Sequence, residues 1–533
     1  MRRALASCVL LALVPSAGCA QNAQVQPSGS SATSLLVFIT VDQMREDYFT
    51  RFESQLTGGL ARLYKGSAFF TNAFHDHAIT ETAPGHSVTM AGRFPRGTGI
   101  VQNTEGVADP KSPVIGGAAP GAESGASPWR FKGTTLTDWL TAKDSRSRVL
   151  SVSRKDRAAI LPIGRARQSV YWYAANGAFS TSTYYADTLP SWVQRFNARK
   201  IPQQYAGKSW DLLLDASQYS EPDDVPQENI GRGGVTFPHV MPQDPAQAAA
   251  VLIAVPWMDE VTLQFALEGM QSLKLGTGPQ TDILAISLSS TDAVGHAYGP
   301  DSREQHDQIL RLDRALAVFF DSLYKVRDSS RVIIALTADH GVAPYIGVKS
   351  RDPNENAIYV RAALDTAWAF EGRVARALKD STQFIWDTPY LVMNRKALSA
   401  KKISPDSVIN AFIAAEMKVP GVLRADRVRD LPKADTTKDY VARRWLHMLQ
   451  PDSPVEVVVT LQPYNYWGRS NATHGTPHDY DAHVPVLFYG PPFKPGKYDE
   501  FARVVDMAPT LASVLGVTPL EKLDGHVLRA AIR

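Results

Sequence analysis

Cysteine is almost missing from this chain: of 533 residues only Cys8 and Cys19 carry a thiol. Beyond residue 19 no disulfide can staple the fold, and no thiolate can act as nucleophile or metal ligand. Long apolar runs are scarce too, and no segment after the N-terminus reads as a membrane-spanning helix. An excess of charge of one sign is absent, since 56 basic residues face 53 acidic ones for a formal charge of +3. That balance gives no reason to expect nucleic acid or an anionic membrane as a dedicated partner. No internal repeat recurs, which argues against a solenoid. The remaining composition, 44% hydrophobic and 20% charged, is ordinary for a soluble globular protein.

The N-terminus reads as an export signal. Arg2-Arg3 form a basic start, Cys8 to Val14 a short apolar core, and Pro15 precedes the small residues Ser16 to Ala20. Residues 1–20 are therefore expected to be a signal peptide cleaved after Ala20, and the polar residues 21–33 a disordered tether. Export places the mature protein in the periplasm. Ala17-Gly18-Cys19 is also similar to the end of a lipobox, with Ser16 where Leu is usual, so an outer-membrane lipoprotein anchored at Cys19 is the alternative.

Short β-branched runs then alternate with helical patterns. Leu35 to Val41, Ile283 to Leu288, Val332 to Leu336, Val457 to Leu461 and Val484 to Tyr489 read as strands buried on both faces. Ile309, Leu312, Leu316, Phe319 and Leu323 fall at helical spacing, which predicts a helix over Arg303 to Val326 and a βαβ unit from Ile283 to Leu336. The catalytic domain is expected over 34–533, with insertions at about 148–276 and 345–454 where the strand pattern breaks.

The residues that carry chemistry follow strands. Asp42 ends the first run, Asp292 and His296 lie just past another, and Asp339-His340 close a third; His474 lies in a Thr-His-Gly loop. In open α/β sheets sites form at the carboxyl ends of strands, so these residues can converge. Singly, each has an ordinary explanation as a helix cap, turn or loop residue. Jointly, three Asp and three His suit divalent first-row metals, and two such sets point to two-metal phosphoryl chemistry. Thr82 in TETAPGH is the candidate nucleophile, at a helix N-terminus where free N–H groups attract an anion. His86 in that segment is expected to hydrogen-bond within the helix. Arg154-Lys155-Asp156-Arg157 is a charge run, and if extended it puts Lys155 and Arg157 on one face.

Taken together, VDQMREDYF, TETAPGHSVTMAG with GIVQN, SVSRKDR, STDAVGHAYGP, TADHGV and THG with YDAHVPVLFYG resemble the alkaline phosphatase superfamily, in its exported, phosphate-irrepressible (PafA-type) branch. The resemblance implies an α/β fold, with a central, mostly parallel sheet flanked by helices and inserted cap-like subdomains. It implies two zinc ions: Asp42, Asp339 and His340 on one, Asp292, His296 and His474 on the other, and Thr82 coordinating as nucleophile. His474 is preferred over the neighbouring His478 and His483 because His-Gly is the family's ligand motif. Asn103, Lys155 and Arg157 match the family's phosphate-binding residues. The implied activity is hydrolysis of a broad range of small phosphate monoesters through a phosphothreonine intermediate, by a monomer. A phosphodiesterase or nucleotide pyrophosphatase of the same superfamily is the alternative, and a non-catalytic metal- or phosphate-binding surface protein is the alternative of another class. A sulfatase is disfavoured because no Cys-x-Pro-x-Arg segment exists.

Overall fold

The apolar runs build an eleven-stranded sheet. In chain order its strands are β1 (Leu35–Val41), β2 (Ala68–Phe70), β3 (Ala108–Ile115), β4 (Gly125–Ala126), β5 (Val149–Ser153), β6 (Ser169–Tyr173), β7 (Phe179–Ser182), β8 (Asp282–Leu288), β9 (Val332–Thr337), β10 (Val486–Tyr489) and β11 (Gly496–Tyr498). Their spatial order is β11-β2-β10-β9-β1-β8-β5-β6-β7-β3-β4. The run from β9 through β1, β8 and β5 to β6 is parallel. Antiparallel β10 and β7 bracket it, which makes the whole sheet mixed. In this computed structural model the described residues are 33–533 without 105, 117–124, 227, 229–233, 347–356, 451 and 469–471. The expected signal peptide, Cys19 and all but the last residue of the expected tether lie outside them.

Every residue of β1, β8 and β9 is buried, as unbroken apolar strands require when helices cover both faces. The register brings their C-terminal ends level. Thr40 stands opposite both Ser287 and Thr337, and Ser287 stands opposite Ser153. Residues just past these strands are therefore delivered to one edge of the parallel core.

Five helices matter to that edge: α1 (Thr82–Thr89), α2 (Asp156–Ile160), α3 (Trp257–Ser272), α4 (Ser290–Tyr298) and α5 (Arg303–Val326). The α5 helix spans the expected residues, is capped by Ser302 accepting from Gln305 N–H, and buries the predicted stripe from Ile309 to Leu323. It packs beside α3 and α4. Among the described residues no single helix is long and apolar enough to cross a membrane.

Two boundaries differ from expectation. The segment 148–276 is not an insertion throughout, because it supplies β5, β6 and β7 to the main sheet and α3 to its surface. Its Trp/Tyr-rich strands depart from the Val/Ile/Leu signature that flags a buried strand, although Tyr171, Trp172 and Tyr173 are all buried. Val455–Leu461 belongs to a separate antiparallel sheet, in the order Phe384–Asp387, Tyr390–Met393, Val455–Leu461, Val422–Arg427. This second region thus runs past the expected limit at 454 and encloses a core of its own around Val360, Phe384, Trp386, Phe412 and Val457. Apolarity marks a buried strand without saying which sheet buries it. Gln102 Nε2 donates to the Thr388 carbonyl at 3.2 Å, tying this region to the loop that carries Asn103.

Candidate active site

At the level edge of the parallel core, β1 leads to Asp42, β9 leads to Asp339 and His340, β8 leads into α4 with Asp292 and His296, and β5 leads to Lys155. Helix α1 brings Thr82 over them as its first residue. It can come this close because position 85 is glycine: a Cβ there would overlap the Asp339 carbonyl. Asp42, Asp339, His340 and Thr82 are buried, and Asp292 is nearly so.

Two clusters of ligand atoms result. In the first, His340 Nε2 lies 3.6 Å from both Asp42 Oδ1 and Asp339 Oδ2. In the second, His296 Nε2 lies 3.2 Å from Asp292 Oδ1 and 3.2 Å from His474 Nε2, which is itself 3.9 Å from Asp292 Oδ1. The facing atoms of Asp42, Asp339 and His340, and of Asp292, His340 and His474, lie within 4.8 Å of one another in each set. His478 and His483 are not in either cluster; their Nε2 atoms donate to the carbonyls of Leu461 and Thr71. His86 bonds the Thr82 carbonyl at 2.9 Å within α1, as expected, and also reaches out of the helix to Ser287 Oγ at 2.9 Å and Asp339 Oδ2 at 3.1 Å.

The second partners of the imidazoles fix what the clusters can do. Nδ1 of His340 meets the Gly341 carbonyl at 2.9 Å, Nδ1 of His296 the Ala472 carbonyl at 2.8 Å, and Nδ1 of His474 the Thr80 carbonyl at 2.8 Å. A carbonyl can only accept, so each Nδ1 carries a proton and each Nε2 is turned inward, where the neutral ring offers a lone pair. Burial pushes His340 down to about 3, and burial, then His340 and His296, hold His474 well below the usual imidazole value. Burial works against charge on His296, but the Asp292 carboxylate beside it raises the imidazole above its usual value, and its Nε2 faces His474 Nε2 at 3.2 Å. Three inward-facing Nε2 atoms beside carboxylates are, with the imidazoles neutral, a donor set for a divalent metal.

Positive charge is also demanded at the centre. Burial raises Asp42 above the ordinary carboxylate range, and Asp292 and Asp339 raise it further. Among the described residues Asp42 Oδ1 accepts no hydrogen bond. The Lys155 ammonium stands 2.6 Å from Asp42 Oδ2, 2.7 Å from Asp292 Oδ2 and 3.3 Å from Thr82 Oγ1. Lys155 and Arg157 do not share the face of an extended segment, because Lys155 is the N-cap of α2 and Arg157 lies in its first turn. The strand had already ended at Ser153. The Arg157 guanidinium is nearest Asp156 at 3.9 Å. Asn103 Oδ1 accepts from Ala83 N–H at 2.8 Å and its own N–H donates to Glu81 Oε2 at 2.8 Å.

Three contributors escape the sequence. Gln43 bonds both Asp339 and Asp292. Arg154 looks like part of a solvated charge run, yet it is largely buried with Nη2 3.7 Å from Asp292 Oδ2. Its place one residue past a buried strand was the available signal. Glu81, which holds Asn103, is half-buried, and desolvation pushes its carboxyl upward.

The sequence profile of the type I phosphodiesterase / nucleotide pyrophosphatase family matches residues 36–446. Alkaline phosphatase PhoV of Synechococcus elongatus is 32% identical over 531 residues, covering 95% of each chain. A crystal structure of wild-type alkaline phosphatase PafA superposes with a TM-score of 0.84 at 28% identity, over 94% of this chain and 99% of that one. A PafA variant with Thr→Ser, Asn→Ala, Lys→Ala and Arg→Ala substitutions superposes at 0.85 with 27% identity and the same coverage. The chain belongs to the type I phosphodiesterase / nucleotide pyrophosphatase family, within its PafA-type alkaline phosphatase branch.

Proposed function

We propose that this phosphate monoester hydrolase is exported, uses two zinc ions and works through a phosphothreonine intermediate. The observation that carries the reading is the set of three imidazoles whose Nδ1 atoms are spent on backbone carbonyls and whose Nε2 atoms converge on three buried carboxylates around Thr82. Asp42, Asp339 and His340 would hold one ion, and Asp292, His296 and His474 the other, with Thr82 between them. When bound, such a pair supplies Lewis acidity at the entering and leaving oxygens of an in-line displacement.

Thr82 provides the nucleophilic oxygen. Its attack on phosphorus makes the Thr82 ester and breaks the bond to the alcohol; water then attacks the same phosphorus and returns Thr82. At the start of α1 the Ala83 N–H is spent on Asn103 Oδ1 and residue 84 is proline, so the helix offers the phosphoryl group its positive end rather than a set of free N–H groups. Asn103 Nδ2, Lys155 and Arg157 are the donors for the nonbridging oxygens, where charge is stabilised. In type and order, and in the Thr-to-Asn and Lys-to-Arg spacings, Thr82, Asn103, Lys155 and Arg157 match the four residues replaced in the PafA variant, which supports these roles. Arg2-Arg3 and the short apolar core after them support export to the periplasm.

Hydrolysis of phosphodiesters is the second reading, favoured by the description of the family profile. A diester carries one fewer negative charge and one more substituent, so Lys155 and Arg157 discriminate between the two. The test compares kcat/KM for p-nitrophenyl phosphate and its diester analogue in wild type, Thr82→Ala and Lys155→Ala. Thr82→Ala should cost roughly 10³-fold or more, and Lys155→Ala should harm the monoester more than the diester. Equal rates in wild type and Thr82→Ala would remove Thr82 as nucleophile; a diester preference in wild type would sink the monoesterase reading. Metal analysis of the same preparations tests zinc and its stoichiometry.

A further inference from the structure

Gln43 occupies an unusual position between the two clusters. It follows Asp42 directly, is fully buried, and holds a left-handed backbone with φ of 66°. That conformation is uncommon outside glycine and persists only where the surroundings enforce it. Here it turns the chain so that the Gln43 backbone N–H donates to Asp339 Oδ1 at 3.0 Å. Its side-chain Nε2 donates to Asp292 Oδ1, also at 3.0 Å. One residue thus grips a carboxylate from each cluster, beyond the ends of β9 and β8, while its neighbour Asp42 directly follows β1, the strand between them.

The slot for the amide is built as well. Gly295 on α4 faces the Gln43 carboxamide, and a Cβ at that position would overlap Gln43 Oε1. Oε1 itself accepts no hydrogen bond among the described residues, so the amide is oriented by its donor side toward Asp292. Asp292 divides its oxygens: Oδ1 takes Gln43 and lies nearest His296, and Oδ2 takes Lys155.

We propose that Gln43 is a positioning residue that sets the geometry of the second cluster relative to the first, by orienting the Asp292 carboxylate from a backbone already locked to Asp339. This rests on the two-ion reading. The two bonds are chemically separable. The bond to Asp339 comes from the backbone and survives side-chain replacement, whereas the bond to Asp292 needs the amide. Loss of the amide should therefore loosen the Asp292, His296, His474 set and spare the Asp42, Asp339, His340 set.

The test measures bound zinc per chain across a graded chelator series, and the visible spectrum after cobalt substitution, for wild type, Gln43→Met and Gln43→Gly. Met keeps the bulk and removes the amide; Gly also relieves the left-handed backbone while keeping its N–H. The expected result is that both variants hold one ion with wild-type affinity and the second at least tenfold more weakly, with the cobalt spectrum changed for one ion. Their kcat should fall at least tenfold with KM for p-nitrophenyl phosphate little changed. A single cooperative melt of the chelator-treated variants, with wild-type affinity kept at one ion, separates positioning from a folding defect. Two ions in wild type with both retained unchanged in the variants overturns the proposal alone, as does equal weakening of both ions. Fewer than two ions in wild type brings down the two-ion reading and the proposal with it.

Discussion

Asn103 shows how a single side chain is prepared before any substrate arrives. Its Oδ1 is committed to Ala83 N–H at the start of α1, and its own N–H to Glu81 Oε2. The two protons on Nδ2 are what remains to give a phosphoryl oxygen. Asn103→Ala should lower kcat/KM for a monoester by roughly 10²-fold, the usual cost of deleting one donor to developing charge. Asn103→Asp is the sharper probe. It keeps an acceptor for Ala83 N–H and puts negative charge at a helix N-terminus, so melting should not fall. It also points a carboxylate at phosphate, so activity should drop below that of the alanine variant. An aspartate variant as active as wild type would mean that Nδ2 does not donate to substrate. The residues most legible in the sequence were those whose chemistry is strong and local, the Asp and His at strand ends. Gln43 was not legible, because a neutral amide gains its role only from a left-handed backbone and a neighbouring glycine on another element.

The element that carries Thr82 depends on a close approach. Helix α1 rests on the loop after β9, and at Gly85 a Cβ would sit within the Asp339 carbonyl and 2.8 Å from its carbonyl carbon. Those are backbone atoms, so a flexible side chain cannot move aside. Gly85→Ala should push α1 outward, lower stability by about 1–3 kcal/mol, and move Thr82 off the line between the clusters. Monoester kcat should fall at least tenfold, while a Gly85→Ala variant with wild-type kcat and melting would refute the packing argument. The same strands explain how far pattern reading reaches. β1, β8, β9 and α5 were legible because both-face burial and an amphipathic stripe each leave a strong periodic signature. β5 to β7 were hidden by serines and aromatics, and the second sheet by runs that look alike in either sheet. The extended reading of Lys155 to Arg157 failed because helix α2 starts immediately after Lys155.

At the scale of the whole molecule, the second region with its own core brings a titration that the catalytic sheet does not use. Glu416 ends the helix Pro405–Glu416, is fully buried, and has no hydrogen bond to either carboxylate oxygen among the described residues. Burial alone raises it from 4.5 to about 8. The folded protein therefore keeps this proton over a pH range where the unfolded chain has released it. Between pH 4.5 and about 8 the native state binds more protons than the unfolded state at this site, so stability falls as pH rises and stays low above that window. Ionising an unpaired buried carboxylate in alkaline solution then costs on the order of a few kcal/mol. Glu416→Gln removes the ionisation while keeping nearly the same shape, and leaves the catalytic residues untouched. Its melting temperature should match that of wild type near pH 4.5 and exceed it by several degrees at pH 9, with unchanged kcat on a monoester. A difference between the two proteins that does not vary with pH would show that Glu416 is not the group that titrates. This matters for a hydrolase of the alkaline phosphatase branch, because activity measured at high pH mixes chemistry with survival of the fold. Following rate and melting together in the Gln variant separates them: a pH-rate limb that persists belongs to the strand-end site, and one that disappears belongs to the second region.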